Sequence, residues 1–314
     1  MALDVSIIVV NWNTRDVTCN CLVSVFGQTK DVRFEVILID NASSDGSVEK
    51  IRKDFPQVTL IANDGNRGFA AANNQGMEIA KGRYVLLLNP DTIILDGAVQ
   101  KTIAFADSFT DIGVVGCQVW LNDSEIQQTC FSFPSVVSLF LQETGLRKIA
   151  PRSRLLGWSN YGWWDRTSQM DVDVISGMFM LVRHEVIDKV GVMDEAYYVY
   201  AEETDWCFRV HNAGWRCVFT PIARIVHLDG GSKSTGLVRV KMFVQMQKSI
   251  LIFHRKNKGV ISWFFARMIY IFSMSMRFVL SIPPSVLSRD GLEAKKKALA
   301  VAALRYHVWG IEPR

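Results

Sequence analysis

The chain predicts an α/β protein in which helices flank a mostly parallel, Rossmann-like sheet, followed by a C-terminal helical extension. Three observations support this fold class. Short apolar, β-rich runs alternate with helical patterns through the first half of the chain, as in repeated β–α units. Hydrophobic residues make up 49% of the 314 positions, which is enough for a well-buried core. Charge is also divided, because residues 1–232 hold 20 Lys+Arg against 28 Asp+Glu whereas residues 233–314 hold 15 against 3.

In the first half, four strands and three helices are predicted. Each strand is a short apolar run, and each helix shows helical spacing of its apolar residues or a run of alanines. The segment Asp45-Gly46-Ser47 is typical of a helix start. The predicted strands are Val5–Val10, Phe34–Ile39, Val58–Ala62 and Tyr84–Leu88, and the helices run from about Val17 to Phe26, Ser47 to Phe55 and Phe69 to Ala80.

The second half is less regular. Strands are predicted at Gly113–Val119 and Met178–Val182, and a helix at Glu202–Asn212 that Gly214 ends. The stretch 124–170 is aromatic and loop-like, and only helices are predicted from Thr235 onward. We therefore expect one α/β domain over residues 1–232 and a helical region over 233–314.

Polar residues end three of the predicted strands. Asn11 ends the first and Asp40 the second, while Asp91 follows the fourth in VLLLNPDT, where proline forces the chain out of the sheet. Because the carboxyl ends of parallel strands meet at one edge, a single ligand could touch all three, and a carboxylate there could share a divalent cation with phosphate oxygens. The alternatives are a strand-ending turn for Asp91 and a helix N-cap or Asx turn for Asp40.

The segment NDGNRGFAAANN suits a bound diphosphate. Gly68 and the alanines allow a backbone to approach a ligand closely. Arg67 and the N-terminus of the following helix offer positive charge and free N–H groups.

A second group of candidates lies in YAEETDWCFRVHNAGW. Glu202 and Asp205 share a helix face with Arg209, so a structural ion-pair cluster explains them. Glu203 projects differently and could act as a general base towards a hydroxyl. His227, in IVHLDGGS, could complete a metal shell, although a lone histidine is more often structural.

The C-terminal region is both basic and apolar. From Gly259 to Leu287 the sequence is rich in Trp, Phe, Ile and Met and is interrupted only by Arg267 and Arg277, which disfavours a spanning helix. A helix lying on an anionic membrane surface fits better than a contact with nucleic acid. The alternative is a buried helical pair that packs on the catalytic domain or on a second subunit as a homodimer.

The compartment is expected to be the cytoplasm. The six cysteines form no CxxC pair and have no histidine partners at metal-ligand spacing, which indicates reduced thiols. The start of the chain lacks a basic leader, so its apolar run is interpreted as a first strand. A dehydrogenase is disfavoured because no GxGxxG follows that strand, and a nucleotidyltransferase because no basic glycine-rich loop precedes the first helix.

Seven motifs in order resemble glycosyltransferase family 2, the inverting enzymes of GT-A fold, and most of all its bacterial rhamnosyltransferases of O-antigen (lipopolysaccharide) and cell-wall assembly. The resemblance covers about residues 4–235. The motifs are VVNWN, ILIDNASSDGS, NRGFAAANNQG, LLLNPD, VISGMFMLVRHEV, MDEAYYVYAEETDWCFRVHNAGW and IVHLDGGS.

The resemblance implies roles for particular residues. Asp91 would bind Mg²⁺ or Mn²⁺ as the last residue of a DxD-like motif whose first residue is Asn89 here, and His227 would join the metal or the diphosphate. The usual Glu-Asp pair is Glu202-Glu203, so the base role falls on Glu203, with Glu202 as the alternative. Asp40 would contact the base of the nucleotide. The residues expected to bind the donor are Asn11, Asp40, Asn66, Arg67, Gly68, Asn73, Asn89 and Asp91. Those expected to bind the acceptor are Trp163, Trp164, Asp165 and Gly177, with core packing as the alternative for the tryptophans.

By the same resemblance, residues 1–120 would bind the donor and 121–232 the acceptor. The expected reaction is transfer of L-rhamnose from dTDP-L-rhamnose onto a hydroxyl of a saccharide linked to polyprenyl diphosphate, at the inner face of the cell membrane. The alternatives are transfer of galactofuranose, glucose or GlcNAc, or a catalytically silent protein that binds nucleotide sugars.

Overall fold

A computed structural model describes residues 3–122, 125–228, 239–280 and 291–313. The chain forms two compact units. The first comprises Met1–Phe133, Trp164–Tyr198 and Glu202–Ser234, and the second comprises Pro134–Trp163, Val199–Ala201 and Thr235–Arg314. The second unit therefore includes 134–163, a segment that the sequence analysis assigned to the acceptor half.

The first unit is built on a sheet in the order β3-β2-β1-β4-β11-β6-β12-β5. Strands β3, β2, β1 and β4 are parallel neighbours and β6 is parallel to β12, whereas β11 runs antiparallel between β4 and β6. The predicted α/β class with a mostly parallel sheet is confirmed. The strands are β1 Leu3–Asn11, β2 Phe34–Asp40, β3 Thr59–Ala62, β4 Gly82–Leu88, β5 Thr92–Ile94, β6 Ile112–Asn122, β7 Glu125–Ile126, β8 Cys130–Phe131, β9 Met170–Asp171, β10 Val174–Ile175, β11 Phe179–Arg183 and β12 Arg216–His227.

The helices follow the predicted alternation. Those that the sequence analysis did not assign are α4, α5 and α6, which are short or lie in the irregular second half. The helices are α1 Arg15–Gln28, α2 Ser47–Asp54, α3 Phe69–Ile79, α4 Ala98–Asp107, α5 Val136–Glu143, α6 His184–Val190, α7 Glu202–Asn212, α8 Arg239–Phe253, α9 Gly259–Leu280 and α10 Gly291–Trp309, with short 3-10 turns at Leu146–Lys148 and Trp158–Asn160.

The core of the first unit explains why its central strands carry no polar alternation. Residues on both faces are buried from Val5 of β1 and from Tyr84 of β4 onward, so these stretches are mainly apolar. Burial continues to the last residue of β4, Leu88, after which the chain leaves the sheet. The polar residues that follow are thereby fixed at the end of a rigid strand.

The second unit packs α5, α8, α9 and α10. Leu139 of α5 lies in one apolar cluster with Leu251, Ala266 and Tyr270. The two arginines that interrupt the apolar run both form contacts inside this unit. Arg267 donates to the carbonyl of His307 at 2.6 and 2.8 Å, and Arg277 pairs with Glu143 at 3.0 Å.

By length and composition alone, the helical segment Val240–Leu280 could cross a membrane, since its best 18-residue window has a mean hydropathy of 1.3 and is only 22% buried. One such segment is weak evidence for a span. The segment meets the length and hydropathy criteria even though it contains Arg267 and Arg277, so these two arginines do not by themselves exclude a spanning helix.

Candidate active site

Strand register brings three strand ends to one edge of the sheet. Asn11 pairs with Asp40 across β1 and β2, and Val9 pairs with Leu88 across β1 and β4. The loop that carries Asn89 and Asp91 therefore begins beside the end of β1. This is the carboxyl edge, where open α/β sheets bind their ligands.

Asn11 and Asp40 form a buried network beneath that edge. The Asn11 side chain donates to Asp40 Oδ2 at 2.6 Å and accepts from the hydroxyls of Thr14 and Thr18 at 2.7 and 2.8 Å. Asp40 Oδ1 accepts from the backbone N–H of Ser43, three residues on, at 2.8 Å, so this carboxylate holds the turn that follows β2. Both side chains are fully buried, so the structure gives each a role in fixing the loops; contact with a nucleotide stays a prediction.

Asp91 and His227 meet although 136 positions separate them in the chain. Strand β12 pairs with β5 so that His227 faces Thr92, and the Leu228 N–H donates to the Asp91 carbonyl at 2.7 Å. As a result, His227 Nε2 lies 3.1 Å from Asp91 Oδ1. Both side chains are largely buried, and Asp91 Oδ1 has no hydrogen-bond partner among the described residues, so this approach is not a hydrogen bond.

A carboxylate oxygen and an imidazole nitrogen aimed at one place suit Mn²⁺ or Mg²⁺. An unpaired buried carboxylate oxygen is costly, and a cation would relieve that cost. Over the ranges that the structure describes, no three His, Cys, Asp or Glu side chains group as a metal site. An ion held by Asp91 and His227 would therefore take its remaining ligands from water or from substrate oxygens.

The loop before α3 and the first turn of that helix contain local hydrogen bonds. Asn66 Oδ1 accepts from the Gly68 N–H at 2.9 Å, and the Asn73 side chain donates to the Phe69 carbonyl at 2.9 Å. Arg67 is exposed and makes no ion pair within the described ranges, so its charge is available to a ligand. Asn89 uses its backbone, donating to the Met178 carbonyl at 3.1 Å and accepting from Thr92.

The fold itself requires glycine at position 68, apart from any approach of a ligand. Its φ is 85°, and a Cβ there would lie 2.4 Å from the Tyr198 carbonyl oxygen. The same carbonyl accepts from the Phe69 N–H at 2.8 Å. The segment before α7 is thus fastened to the N-terminus of α3, which joins two of the motifs found in the sequence.

Sequence reasoning missed two further residues of this junction. Asn41 donates to the Gly68 carbonyl at 3.1 Å, and Asn74 donates to the Met193 carbonyl at 2.8 Å while accepting from the Met193 N–H at 3.0 Å. Both are buried amides. The available signal was an asparagine next to a polar strand end, and an asparagine on the buried face of an alanine-rich helix.

Glu202 and Glu203 begin α7, directly after two residues in left-handed conformation, Tyr200 (φ 69°) and Ala201 (φ 65°). One carboxylate oxygen of each glutamate is buried without a hydrogen-bond partner among the described residues. Burial, and after it the neighbouring charge of Glu203, raises the pKa of Glu202 well above its ordinary value; burial also raises the pKa of Glu203. Raised carboxyl pKa values are typical of proton-transfer groups.

The structural ion pair expected on α7 is formed by Asp205 and Arg209 at 2.9 Å. The Tyr197 hydroxyl also lies 3.3 Å from Asp205, and Arg209 donates to the carbonyls of Val190 and Val192. Glu202 makes no ion pair within the described ranges. The cluster therefore fixes the start of α7 and leaves both glutamates outside it.

The four predicted acceptor residues are not gathered by any contact. Trp164 is buried, packs edge-on against Phe219 at 4.7 Å and donates to Ser168, which is the core alternative. Asp165 is exposed and closes a turn by accepting from the Thr167 N–H at 3.0 Å. Gly177 leaves room for the Phe69 ring, 3.2 Å from where a Cβ would stand. Trp163 belongs to the second unit, where Arg154 lies 4.8 Å over its ring.

Comparisons with known proteins bear on the family of the chain. Residues 6–147 match the family model of Glycosyl transferase family 2. The chain is 27% identical over 231 residues, 69% of its length and 73% of the relative's, to an N-acetylglucosaminyl-diphospho-decaprenol L-rhamnosyltransferase of Mycobacterium tuberculosis. It is 23% identical over 240 residues to the O-antigen biosynthesis protein RfbC of Myxococcus xanthus, covering 73% of this chain and 18% of that protein.

The fold matches solved glycosyltransferases as well. The mannosyltransferase PcManGT of Pyrobaculum calidifontis, in complex with GDP-Man and Mn²⁺, superposes with a TM-score of 0.58 at 15% identity, covering 99% of this chain and 89% of that one. GalNAc-T7 with UDP, GalNAc and Mn²⁺ gives 0.55 at 17% identity, covering 72% of this chain and 43% of that one. The chain is a hexosyltransferase with the GT-A fold, and its residues 6–147 match glycosyltransferase family 2.

Proposed function

We propose that this enzyme transfers L-rhamnose from dTDP-L-rhamnose, with inversion, onto a hydroxyl of a saccharide linked to polyprenyl diphosphate. The observation that carries the proposal is the contact of Asp91 Oδ1 with His227 Nε2, 3.1 Å apart at the carboxyl edge of the sheet. It gives a nucleotide diphosphate a metal-type anchor at the place where this fold binds ligands. The named M. tuberculosis relative supports rhamnose as the sugar and a lipid-linked GlcNAc as the acceptor class.

Asp91 and His227 would hold Mg²⁺ or Mn²⁺, and the ion would offset negative charge on the departing nucleoside diphosphate. Arg67, exposed beside the N-terminus of α3, would add a second positive charge towards the same group. Asn11 and Asp40 would act by holding the loops of this edge in place through their buried hydrogen bonds.

Glu203 is the proposed base. Its side chain is part-exposed, yet its Oε2 is enclosed and has no partner among the described residues, so it can accept a proton from an acceptor hydroxyl. The alcohol oxygen then bonds to the anomeric carbon as the bond to the diphosphate oxygen breaks, and the configuration inverts. Glu202 is more deeply buried and is the alternative base.

A lipid-linked acceptor places the enzyme at the inner face of the cell membrane, and α9 supports this placement. Its buried side chains include Ala266, Tyr270 and Met274. The opposite side of the helix is also apolar and is exposed, with Ile261, Phe265, Met268, Phe272, Met276 and Val279 recurring every three or four residues. A helix that is apolar all round is suited to a lipid environment or to a partner protein.

The test is a screen of nucleotide sugars for thermal stabilisation in the presence of Mn²⁺, followed by transfer to a polyprenyl-diphosphate-linked GlcNAc acceptor measured by mass spectrometry. We expect dTDP-L-rhamnose to stabilise the protein most and to yield a product heavier by one deoxyhexose. Stabilisation by another nucleotide sugar, with transfer of that sugar, would replace rhamnose. Donor binding without hydrolysis or transfer would show a catalytically silent protein.

A further inference from the structure

Within the second unit, α5 has two apolar sides and only one of them is covered. Leu139 contacts the apolar cluster of α8 and α9, and Glu143, four residues later, accepts from Ser273 at 3.0 Å. Val137 and Leu141 are offset from them by two positions, which places them on the other side of the helix. Val137 is 66% exposed, so this side of α5 has no cover within the described residues.

The chain after α5 adds to the same open side. Val137 and Leu141 line a groove of about 200 Å³ together with Leu155, Leu156 and Trp158. Leu155 is 75% exposed, and Ile149, on the preceding turn, is 74% exposed. We call Val137, Leu155 and Trp158, which line this groove together with Arg154, the α5 surface.

The loop that presents these side chains has a fixed shape. The Gly157 N–H donates to the Ser153 carbonyl at 2.8 Å, and a Cβ on Gly157 would lie only 2.0 Å from the Pro151 carbonyl oxygen. The backbone is therefore folded tightly on itself beneath the exposed leucine and tryptophan. Because the loop is already ordered, little conformational entropy would be lost when its apolar side chains are covered.

The charge on the α5 surface has one sign. Segment 134–163 contains four basic residues, Arg147, Lys148, Arg152 and Arg154, and a single acidic one, Glu143. That carboxylate is buried and paired with Arg277, so it does not offset the cations at the surface. Lys148, Arg152 and Arg154 are all exposed.

Exposed aliphatic and indole side chains mixed with cations fit the interface of an anionic bilayer, where apolar groups enter the headgroup region and cations meet lipid phosphates. We propose that the α5 surface is a membrane-binding surface that rests on anionic lipid. The inference adds a second contact, separate from the C-terminal helices, and rests on the proposed function only because a lipid-linked acceptor brings the enzyme to a bilayer.

The experiment is flotation of the full chain with vesicles of phosphatidylcholine alone, or of phosphatidylcholine and phosphatidylglycerol in equal parts. We expect wild type to float with the anionic vesicles. Val137→Ser with Leu155→Ser, and separately Arg154→Glu, should each lower the partition constant at least about tenfold, or about 1.4 kcal/mol. Two kinds of variant guard against a folding defect, and urea midpoints should match wild type.

Matched controls lie on the first unit. Val23 is 61% exposed, so Val23→Ser removes a similar apolar side chain; Lys30→Glu with Lys101→Glu reverses two exposed cations. These controls should bind anionic vesicles within about twofold of wild type. Unchanged flotation of the α5-surface variants would overturn the proposal. If these variants also lost self-association in light scattering, the α5 surface would instead bind a second copy of the chain.

Failure of this inference is separable from failure of the proposed function. Thermal stabilisation by the donor in the presence of Mn²⁺ should be unchanged in the α5-surface variants, because the proposed donor, metal and base residues all lie in the first unit. Conversely, a donor other than dTDP-L-rhamnose would leave the flotation result as it stands.

Discussion

Replacing Glu203 with Gln removes one carboxylate from the start of α7 and keeps the size of the side chain. General-base assistance typically contributes about 10²–10⁴-fold, so turnover should fall by that factor, equivalent to about 3–5 kcal/mol of barrier. The KM for the donor should stay within about threefold, because no described contact links Glu203 to the Asp91–His227 pair. The assay is initial-rate kinetics with the donor and acceptor varied separately.

The pH profile supplies a second readout. A base works when deprotonated, and burial raises the pKa of Glu203, so turnover should fall as pH drops through a value above the ordinary ~4.3. Glu203→Gln should lose this acidic limb. Glu202→Gln keeps the base, and burial remains the cause of the raised pKa of Glu203, so the acidic limb should persist in this variant.

Turnover of Glu203→Gln within threefold of wild type would refute the assignment. If Glu202→Gln lost the acidic limb and most of the turnover instead, the general base would be Glu202. Circular dichroism and urea unfolding of both variants separate loss of chemistry from loss of fold.

Three further predictions concern the metal, the loop junction and the buried acid. Asp91→Asn and His227→Ala should each abolish the Mn²⁺ dependence of nucleotide binding in calorimetric titrations; titrations that keep the wild-type dependence would contradict the metal site. Gly68→Ala should destabilise the fold by about 2 kcal/mol or more, because its φ of 85° is strained for alanine and the new Cβ would meet a carbonyl oxygen. Gly65→Ala, with no atom within 4 Å of the new Cβ, should change the unfolding free energy by less than about 1 kcal/mol. The folded state raises the pKa of the Glu202 carboxyl, so wild type loses stability as pH rises above the pKa that this carboxyl has in the unfolded chain. Glutamine cannot ionise, so Glu202→Gln should be more stable than wild type to urea at pH 7 and equal to it near pH 4.

The control for the glycine pair is the midpoint of urea unfolding at a common pH. Equal midpoints for the two alanine variants would show that the contact of Gly68 with the segment before α7 is not tight in solution. For Glu202→Gln, a stability difference that is the same at both pH values would mean that ionisation of this carboxyl is not the cause.

The positions of strands and helices in the first half could be predicted because they depend on local sequence patterns. Apolar runs such as the one ending at Leu88 bury on both faces of a parallel sheet, and the observed strand β4 contains the predicted one. The helix Glu202–Asn212 was predicted with the bounds that the structure gives, since its polar start and the following Gly214 are sequence signals. Helix α5 was not predicted, because it is short and apolar on more than one side, which gives no clear period.

By itself, the sequence determined the α/β class, the family resemblance and the set of polar residues that end strands, since these follow from local pattern and motif order. Only the tertiary structure decided which of those residues meet. Asp91 reaches His227 because β12 runs antiparallel to β5, whereas the Asp40 carboxylate accepts from the Ser43 N–H in the turn after β2. The tertiary structure also decided that Arg267 and Arg277 bind His307 and Glu143 within the second unit, while the α5 surface is left exposed. Pairing of distant strands and helices depends on packing over the whole chain, and no local pattern encodes it.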